Sequence, residues 1–591
     1  MKYFITLSTL FLLLNYSYSN NKIVYLEPVP GANLVSIENN IIIGFDKPIN
    51  SNEAEIKNSI IVTGSKSMLH NGTVVICNDN RRILFKPAVA FSPDEAINVK
   101  LNGDLLKSVS SGRKEFSYSF TTSPNKIQWD PLKSFKDEYP AGQNSVRNND
   151  APPPLPPLTV TVDNNPLSGN IFLSNYSFSI YPAYLIITDA HGYMYWYMQR
   201  YFDCDDFKLQ PNGHLTFYDV GVYEHFEMDE NYNTVNTYSC GNGYTTDAHE
   251  LRVLNNGHAY VLAYDPEIVD MSQIVPGGNP HATVVGLIVQ ELDVNKNVVF
   301  QWRSWDHFAI TDAWHENLLS SYIDAVHGNA IEIDNDTNII ISSRHLDEIT
   351  KINHITGDII WRFGGKNNQF TFIGDTLKFT YQHAIRRIAN GDLTLYDNGN
   401  FHTPHFSRAV EYSVDEVNKT ATAIWEYRHS PDIYGSAMGY VQRLTNGNTL
   451  IAWGMTNPSV TEVKSDGTVV FEMSLPQGDI SYRAYKFDWN GPMVSNRNQE
   501  STVPLTFQLS QNYPNPFNPS TIISFAVPKK QLVKIVIYDV LGNEVKTVLN
   551  DNREAGKYSI TVDASTLSSG VYFYRMVSGD FTETRKMVLI K

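Results

Sequence analysis

Three histidines, His249, His327 and His383, each open a copy of one short pattern, a strand and tight turn that ends eight positions on at Gly257, Asn335 and Gly391. An imidazole can hold a metal, relay a proton or attack an electrophile near neutral pH. A lone histidine usually caps a turn, but three at one position of a repeat share a location once the repeats fold. Three neutral imidazoles would suit a metal with an open position for water. Arg344, which ends the second strand of the His327 copy in Ser342-Ser343-Arg344-His345, points elsewhere. A guanidinium is permanently charged, repels a divalent cation and suits a tetrahedral oxyanion. Sulfate or phosphate, in place of a metal, is therefore the expected ligand. Arg362, Arg386, Arg387 and Arg408 are read as ordinary solvated arginines.

The repeats are what must bring these residues together. Related patterns run from Asp205 to Gly213 and from Gly439 to Gly447, and the starts are spaced by 44, 78, 56 and 56 residues. A second hairpin, with an aromatic four residues past a glycine, recurs at Gly192–Trp196, Gly357–Trp361 and Gly467–Phe471, with looser copies near Asn231, Asn297 and Asn418. Six such units at this spacing predict a six-bladed β-propeller over 158–489. Tyr482–Trp489 supplies the sixth inner strand, so both ends of the segment close the ring. The first strand of each blade lines the central channel, which places the three histidines at one mouth.

The chain around this ring is all-β. Residues 20–123 alternate apolar and polar positions in short runs and read as an immunoglobulin-like β-sandwich. A proline-bearing linker covers 124–157 and a second linker 490–504, before short strands resume over 505–591. Lys2, the apolar run Tyr3–Leu14 and Ser17-Tyr18-Ser19 read as a signal peptide over 1–19. The 591 residues carry a net charge of −16, which argues against nucleic acid as a partner. Three cysteines allow at most one bridge, Cys204 with Cys240, or three free thiols.

Two resemblances give these features a meaning. Gln511-Asn512-Tyr513-Pro514-Asn515-Pro516-Phe517-Asn518-Pro519, Ile537-Tyr538-Asp539-Val540-Leu541-Gly542, Ser569-Gly570-Val571-Tyr572 and Arg585-Lys586-Met587-Val588 resemble the C-terminal sorting domain of the type IX secretion system. That resemblance implies a small β-sandwich, the secretion machinery as a partner, and a secreted or cell-surface protein. Asp247-Ala248-His249-Glu250-Leu251-Arg252, Val326-His327-Gly328-Asn329, Ile340 to His345, Ile360-Trp361-Arg362-Phe363-Gly364-Gly365, Tyr381-Gln382-His383-Ala384 and Leu395-Tyr396-Asp397-Asn398-Gly399 resemble the bacterial arylsulfotransferases. These are exported six-bladed propellers that need no 3′-phosphoadenosine cofactor. The resemblance implies ping-pong transfer of a sulfuryl group from an aryl sulfate donor to a phenolic acceptor. By position, His383 is the nucleophile, Arg344 and His327 bind the sulfuryl oxygens, Asn329 makes a polar contact with substrate, and His249 is the acid and base.

The sequence departs from the family at Gly328, where larger residues are frequent, and the short Trp361–Tyr381 segment predicts a reduced rim above the nucleophile. Tyr264, Trp302, Trp305, Tyr396 and Trp453 offer rings either for stacking on an aryl group or for packing between blades. Two other functions compete: a non-catalytic surface propeller binding sulfated glycans or proteins, and a metal-dependent hydrolase built on the three histidines. A homodimer is compatible with any of the three.

Overall fold

Runs of β-branched and aromatic residues broken by Asp-Gly and Asn-Gly turns favour strands over helices. The computed structural model describes residues 22–49, 52–102, 115–124, 155–176, 181–493, 507–512, 515–553, 556–579 and 581–590. The leader expected at 1–19 and most of both linkers lie outside the described residues. Among the described residues the one α-helix is Glu53–Lys57, capped by Asn52 and Glu55 in a reciprocal box. The chain divides into two compact units, 1–493 and 494–591.

In the first unit, six sheets form the propeller, antiparallel except where Tyr322–Asp324 joins blade 3 and Thr371–Ile373 joins blade 5 in parallel. Their inner strands are Ala484–Phe487, Cys204–Leu209, Thr246–Val253, Gly328–Ile333, His383–Arg387 and Tyr440–Arg443, for blades 1 to 6 in turn. Each inner hairpin of blades 2, 3, 5 and 6 turns on a left-handed glycine, Gly213, Gly257, Gly391 and Gly447, a conformation that costs glycine no steric penalty. Ring closure is double. Ala484–Phe487 pairs with Asn170–Asn175 as the inner strand of blade 1, and Thr159–Asp163 adds a fifth strand to the outer edge of blade 6. Both chain ends of the propeller are thereby locked into sheets, as the repeat pattern predicts.

The sandwich consists of two four-stranded sheets, Ile23–Glu27 with Ile41–Phe45, Arg82–Pro87 and Gly72–Ile76, facing Met68–His70, Ile60–Gly64, Ala96–Asn102 and Glu115–Thr121. It shares a hydrophobic core with blade 3 through Tyr25, Ile42, Cys77 and Leu84. Polar contacts reinforce that junction. Tyr25 donates its hydroxyl to the Gln301 carbonyl, Gln301 donates to Glu27 and Asn39, and Arg303 donates to the carbonyls of Asn33 and Leu34. The sandwich is therefore part of the wall of blade 3.

The second unit is a two-sheet sandwich. Gln508–Leu509, Ser520–Val527 and Gly556–Asp563 form one sheet; Glu544–Arg553, Gln531–Tyr538, Gly570–Ser578 and Phe581–Leu589 form the other. Ile535, Ile537, Tyr574 and Met587 are central to its core. The three cysteines are free thiols, so the Cys204–Cys240 bridge does not form. Cys204 points at the Phe202 carbonyl and Cys240 at that of Leu262.

Candidate active site

The tops of four inner strands share one irregularity. Register slips between Asp205 and Lys208, Thr246 and Leu251, Gly328 and Ala330, and His383 and Arg386. Bulges of this kind bend a strand and re-aim its side chains. Non-glycine residues in the left-handed region gather at the same level: His327, Asp347, Tyr381, Ala384 and Met438 have φ between 51° and 65°. Each costs on the order of 1 kcal/mol or more and persists only where its surroundings fix it. Gly328 has a local reason, since a Cβ there would lie 2.4 Å from the buried Leu287 side chain.

These distortions bring the predicted histidines together. The rings of His249 and His327 lie 5.0 Å apart, and His383 feels the charge of Arg344, His249 and His327. His383 is buried. Its Nδ1 faces two acceptors, Asn398 Oδ1 at 2.7 Å and the Tyr381 carbonyl at 3.2 Å, so Nδ1 carries the proton. The Met438 N–H points at Nε2 at 3.3 Å, which makes Nε2 the lone-pair nitrogen. Asn398 cannot turn over, because its Nδ2 donates to the carbonyls of both Gly435 and Met438. Burial and then the Arg344 charge push the His383 pKa well below the usual value, so the ring is neutral.

His249 and His327 are held differently. Each presents Nδ1 to a carboxylate at 2.7 Å, Asp247 for the first and Asp324 for the second. Burial would raise the Asp324 pKa, but His327, His345 and Arg344 together hold it at about 2. Tyr264 supports both rings at 5.8 and 5.7 Å and donates its hydroxyl to the Gly328 carbonyl.

Arg344 is buried, donates to His345 Nε2 at 2.8 Å and to the Ser436 carbonyl at 3.2 Å, and lies 4.1 Å from the centre of the Tyr381 ring. Asn329 is fully buried, and its Nδ2 donates to the carbonyl of Gln382, which precedes the nucleophile candidate. The structure thus gives Asn329 a hold on the His383 backbone.

Asp324, His327 and His345 place ligand atoms within 4.8 Å of one another, a spacing a metal could use. Both nitrogens of His345 and the Nδ1 of His327 are already engaged. His345 gives Nδ1–H to the Asp324 carbonyl and accepts Arg344 at Nε2, while His327 Nδ1 meets the Asp324 carboxylate. A cluster that takes an arginine into its centre suits an anion better than a cation.

Sequence reasoning missed Asn398, Asp247, Asp324 and His345 as site residues, although three of them stand inside motifs it singled out. The arginines read as solvated are also placed differently. Arg386 and Arg408 are buried in ion pairs with Glu250 and with Asp375 and Asp397, and Arg362 and Arg387 pair with Glu348 and Asp334. Of the five aromatic candidates, Tyr264, Trp302, Tyr396 and Trp453 are buried inside blades, and Trp305 is bonded to Asp265. The Trp361–Tyr381 segment adds an outer strand, Thr371–Ile373, to blade 5. Beside it the loops 304–321 and 398–407 meet, with His315 stacked on Phe401.

Comparison with known proteins agrees with this architecture. Residues 20–122 match a bacterial Ig-like domain, 159–486 the arylsulfotransferase (ASST) family and 511–591 the secretion system C-terminal sorting domain, which indicates export to the surface or beyond. The arylsulfate sulfotransferase AssT of Escherichia coli O6:H1 is 32% identical over 87 residues, 13% of this chain and 14% of that protein's length. Among solved structures, a protein of unknown function from Bacteroides caccae covers 54% of this chain and 99% of its own at 11% identity, with a TM-score of 0.35. Virginiamycin B lyase from Staphylococcus aureus covers 54% and 88% at 9% identity, with a TM-score of 0.30. With more than half of its length matched by one family over the propeller that carries the histidines and Arg344, the chain belongs to the arylsulfotransferase family.

Proposed function

We propose that the protein is an aryl-sulfate sulfotransferase that works through a sulfohistidine at His383. The observation that carries this reading is the state of His383: a neutral ring, its proton locked on Nδ1 by Asn398, with the Nε2 lone pair beside a permanent cation.

Nε2 of His383 attacks the sulfur of an aryl sulfate. The N–S bond forms as the S–O bond to the aryl oxygen breaks, and the leaving phenolate takes a proton from His249. Arg344 and His327 bind the non-bridging oxygens, where charge gathers in the transition state. In the second half the acceptor phenol gives its proton to His249, its oxygen attacks sulfur, and the N–S bond returns its electrons to Nε2. The Asp247 carboxylate fixes His249 through Nδ1, whereas the neutral Asn398 leaves His383 free to act as a nucleophile. Asn329 contributes by fixing the Gln382 peptide. The sorting domain would carry this activity outside the cell, either released or held at the surface.

The test is transfer itself: 4-nitrophenyl sulfate as donor, phenol as acceptor, with release of nitrophenolate and formation of phenyl sulfate followed together. Equal amounts of both products are expected. Folded protein that yields neither product overturns the proposal and returns the surface-binding alternative.

A further inference from the structure

The rim above Arg344 carries aromatic side chains that the repeat logic does not explain. Trp314 and Phe401 are 44% and 48% exposed, unlike the buried rings within the blades. They belong to two different loops that meet face to face: His315 stacks on Phe401 with centroids 3.4 Å apart, and Trp314 lies parallel to His315 at 5.7 Å. The ladder continues inward. Phe401 contacts Tyr381 at 5.1 Å, and Tyr381 covers the Arg344 guanidinium at 4.1 Å. Exposure drops from 48% at Phe401 to 8% at Tyr381, so the ladder runs from solvent-facing rings to a buried one on the cation.

Both loops are held in place. The Trp314 N–H donates to the His345 carbonyl, His315 Nε2 pairs with Asp347 at 2.8 Å, and Lys366 grips the carbonyls of Thr311 and Ala313. The Phe401 N–H donates to Thr380, and Asn400 donates to the Ser436 carbonyl that also accepts Arg344. Large apolar faces held rigidly in water beside a site gain most from a flat apolar partner.

We infer that Trp314, His315 and Phe401 form the seat for the aromatic ring of the donor and of the phenolic acceptor. This inference rests on the sulfuryl-transfer reading for the identity of the ligand. An aryl ring sits one oxygen away from the sulfur it carries, so a sulfuryl group on Arg344 brings its ring to the inner end of the ladder, beside Tyr381 and with Phe401 the next ring out at 5.1 Å. The seat selects planar rings over alkyl sulfates, while Arg344 reads only the anion.

Two equilibrium titrations that need no turnover test it: 4-nitrophenol and inorganic sulfate, each on wild type, Phe401→Ala and Trp314→Ala, with melting curves to establish folding. A Kd for 4-nitrophenol raised about fivefold to tenfold in Phe401→Ala, with the sulfate Kd within twofold, is the expected result. If the transfer assay fails but 4-nitrophenol binding still depends on Phe401, the seat stands and the transfer reading falls. Wild type that transfers sulfuryl groups while both variants bind 4-nitrophenol normally overturns the seat alone, as does wild type that binds no 4-nitrophenol. Should Trp314→Ala prove unstable, Phe401→Leu keeps an apolar side chain without a flat face and is expected to recover less than half of the lost affinity.

Discussion

The same inner strands carry two polar clusters, one at the channel mouth and one in its interior, and they are built on opposite plans. In the interior, Lys208, Arg252, Arg386 and Arg483 pair with Asp206, Glu250 and Glu332, in every case across blades except for the Lys208–Asp206 pair within blade 2. Glu250 alone is held by Lys208, by Arg386 at 2.6 Å and by Arg483 at 2.8 Å, and despite burial its pKa lies well below the usual carboxylate range. At the mouth the ionisable rings are anchored through Nδ1, by Asp247, Asp324 and Asn398. Anchoring an imidazole by one nitrogen turns the other away from its anchor. Charge that is compensated from within stitches the blades together, whereas at the mouth each of these imidazoles has its Nδ1 fixed by one side chain, and His383 Nε2 meets the backbone N–H of Met438 at 3.3 Å. His249 and Glu250 are adjacent in sequence and belong to different plans.

Substitutions on the two plans should separate activity from stability. His383→Ala is expected to lower transfer on the order of 10⁴-fold or more while the melting temperature moves by only a few degrees. Comparable losses of fold and activity would erase the distinction. In the interior, Glu250→Gln leaves Arg386 and Arg483 facing each other without their shared carboxylate. It should destabilise the propeller by about 3–5 kcal/mol in denaturant unfolding, and the folded fraction should keep its turnover within a few-fold. An unfolding midpoint equal to that of wild type would contradict the stitching role.

Asn398→Asp sharpens the difference between the nucleophile and its neighbours. A carboxylate on Nδ1 would raise the His383 pKa and protonate Nε2 at neutral pH, so the rate near pH 6.5 should fall about tenfold or more and recover as pH rises. Wild type, with this pKa pushed low by burial and Arg344, should show its acid limb below that of the variant. Superimposable pH–rate profiles would show that Asn398 does not set the state of His383. The smallest effect is expected at the junction of the sandwich and blade 3, where Glu27, Asp265, Glu267 and Asp306 share one buried cation, Arg303. Burial pushes Glu27 and Glu267 up to about 8 and Asp265 to about 7. The folded state keeps these protons where the unfolded chain has lost them, so stability should fall as pH rises from about 4.5 to 8. Glu27→Gln should flatten that fall, read as a melting temperature several degrees less sensitive to pH.

The repeats made the ring legible, including its closure by Tyr482–Trp489, because turn glycines and aromatics recur at fixed offsets. They made His249, His327, His383 and Arg344 legible too, since equivalent positions converge on an axis. The anchors were not. Asp247 and Asn398 look in sequence like the turn residues that abound between strands, and only the fold shows which of them face an imidazole. Arg386 and Arg408 were misread because a charged residue in a strand ordinarily faces water, and their partners arrive from distant segments. Trp314 and Phe401 escaped notice because they stand in loops outside the repeat, where no offset points to them.

The central claim is that the sulfuryl group passes through His383. Intact-mass and peptide-mass spectrometry after brief mixing with 4-nitrophenyl sulfate, without acceptor, tests it directly. An adduct of about 80 Da, the mass of SO₃, is expected on the peptide holding His383, formed with a burst of nitrophenolate and absent from His383→Ala. A wild type that turns over rapidly with no adduct, or with the adduct on another residue, would contradict it.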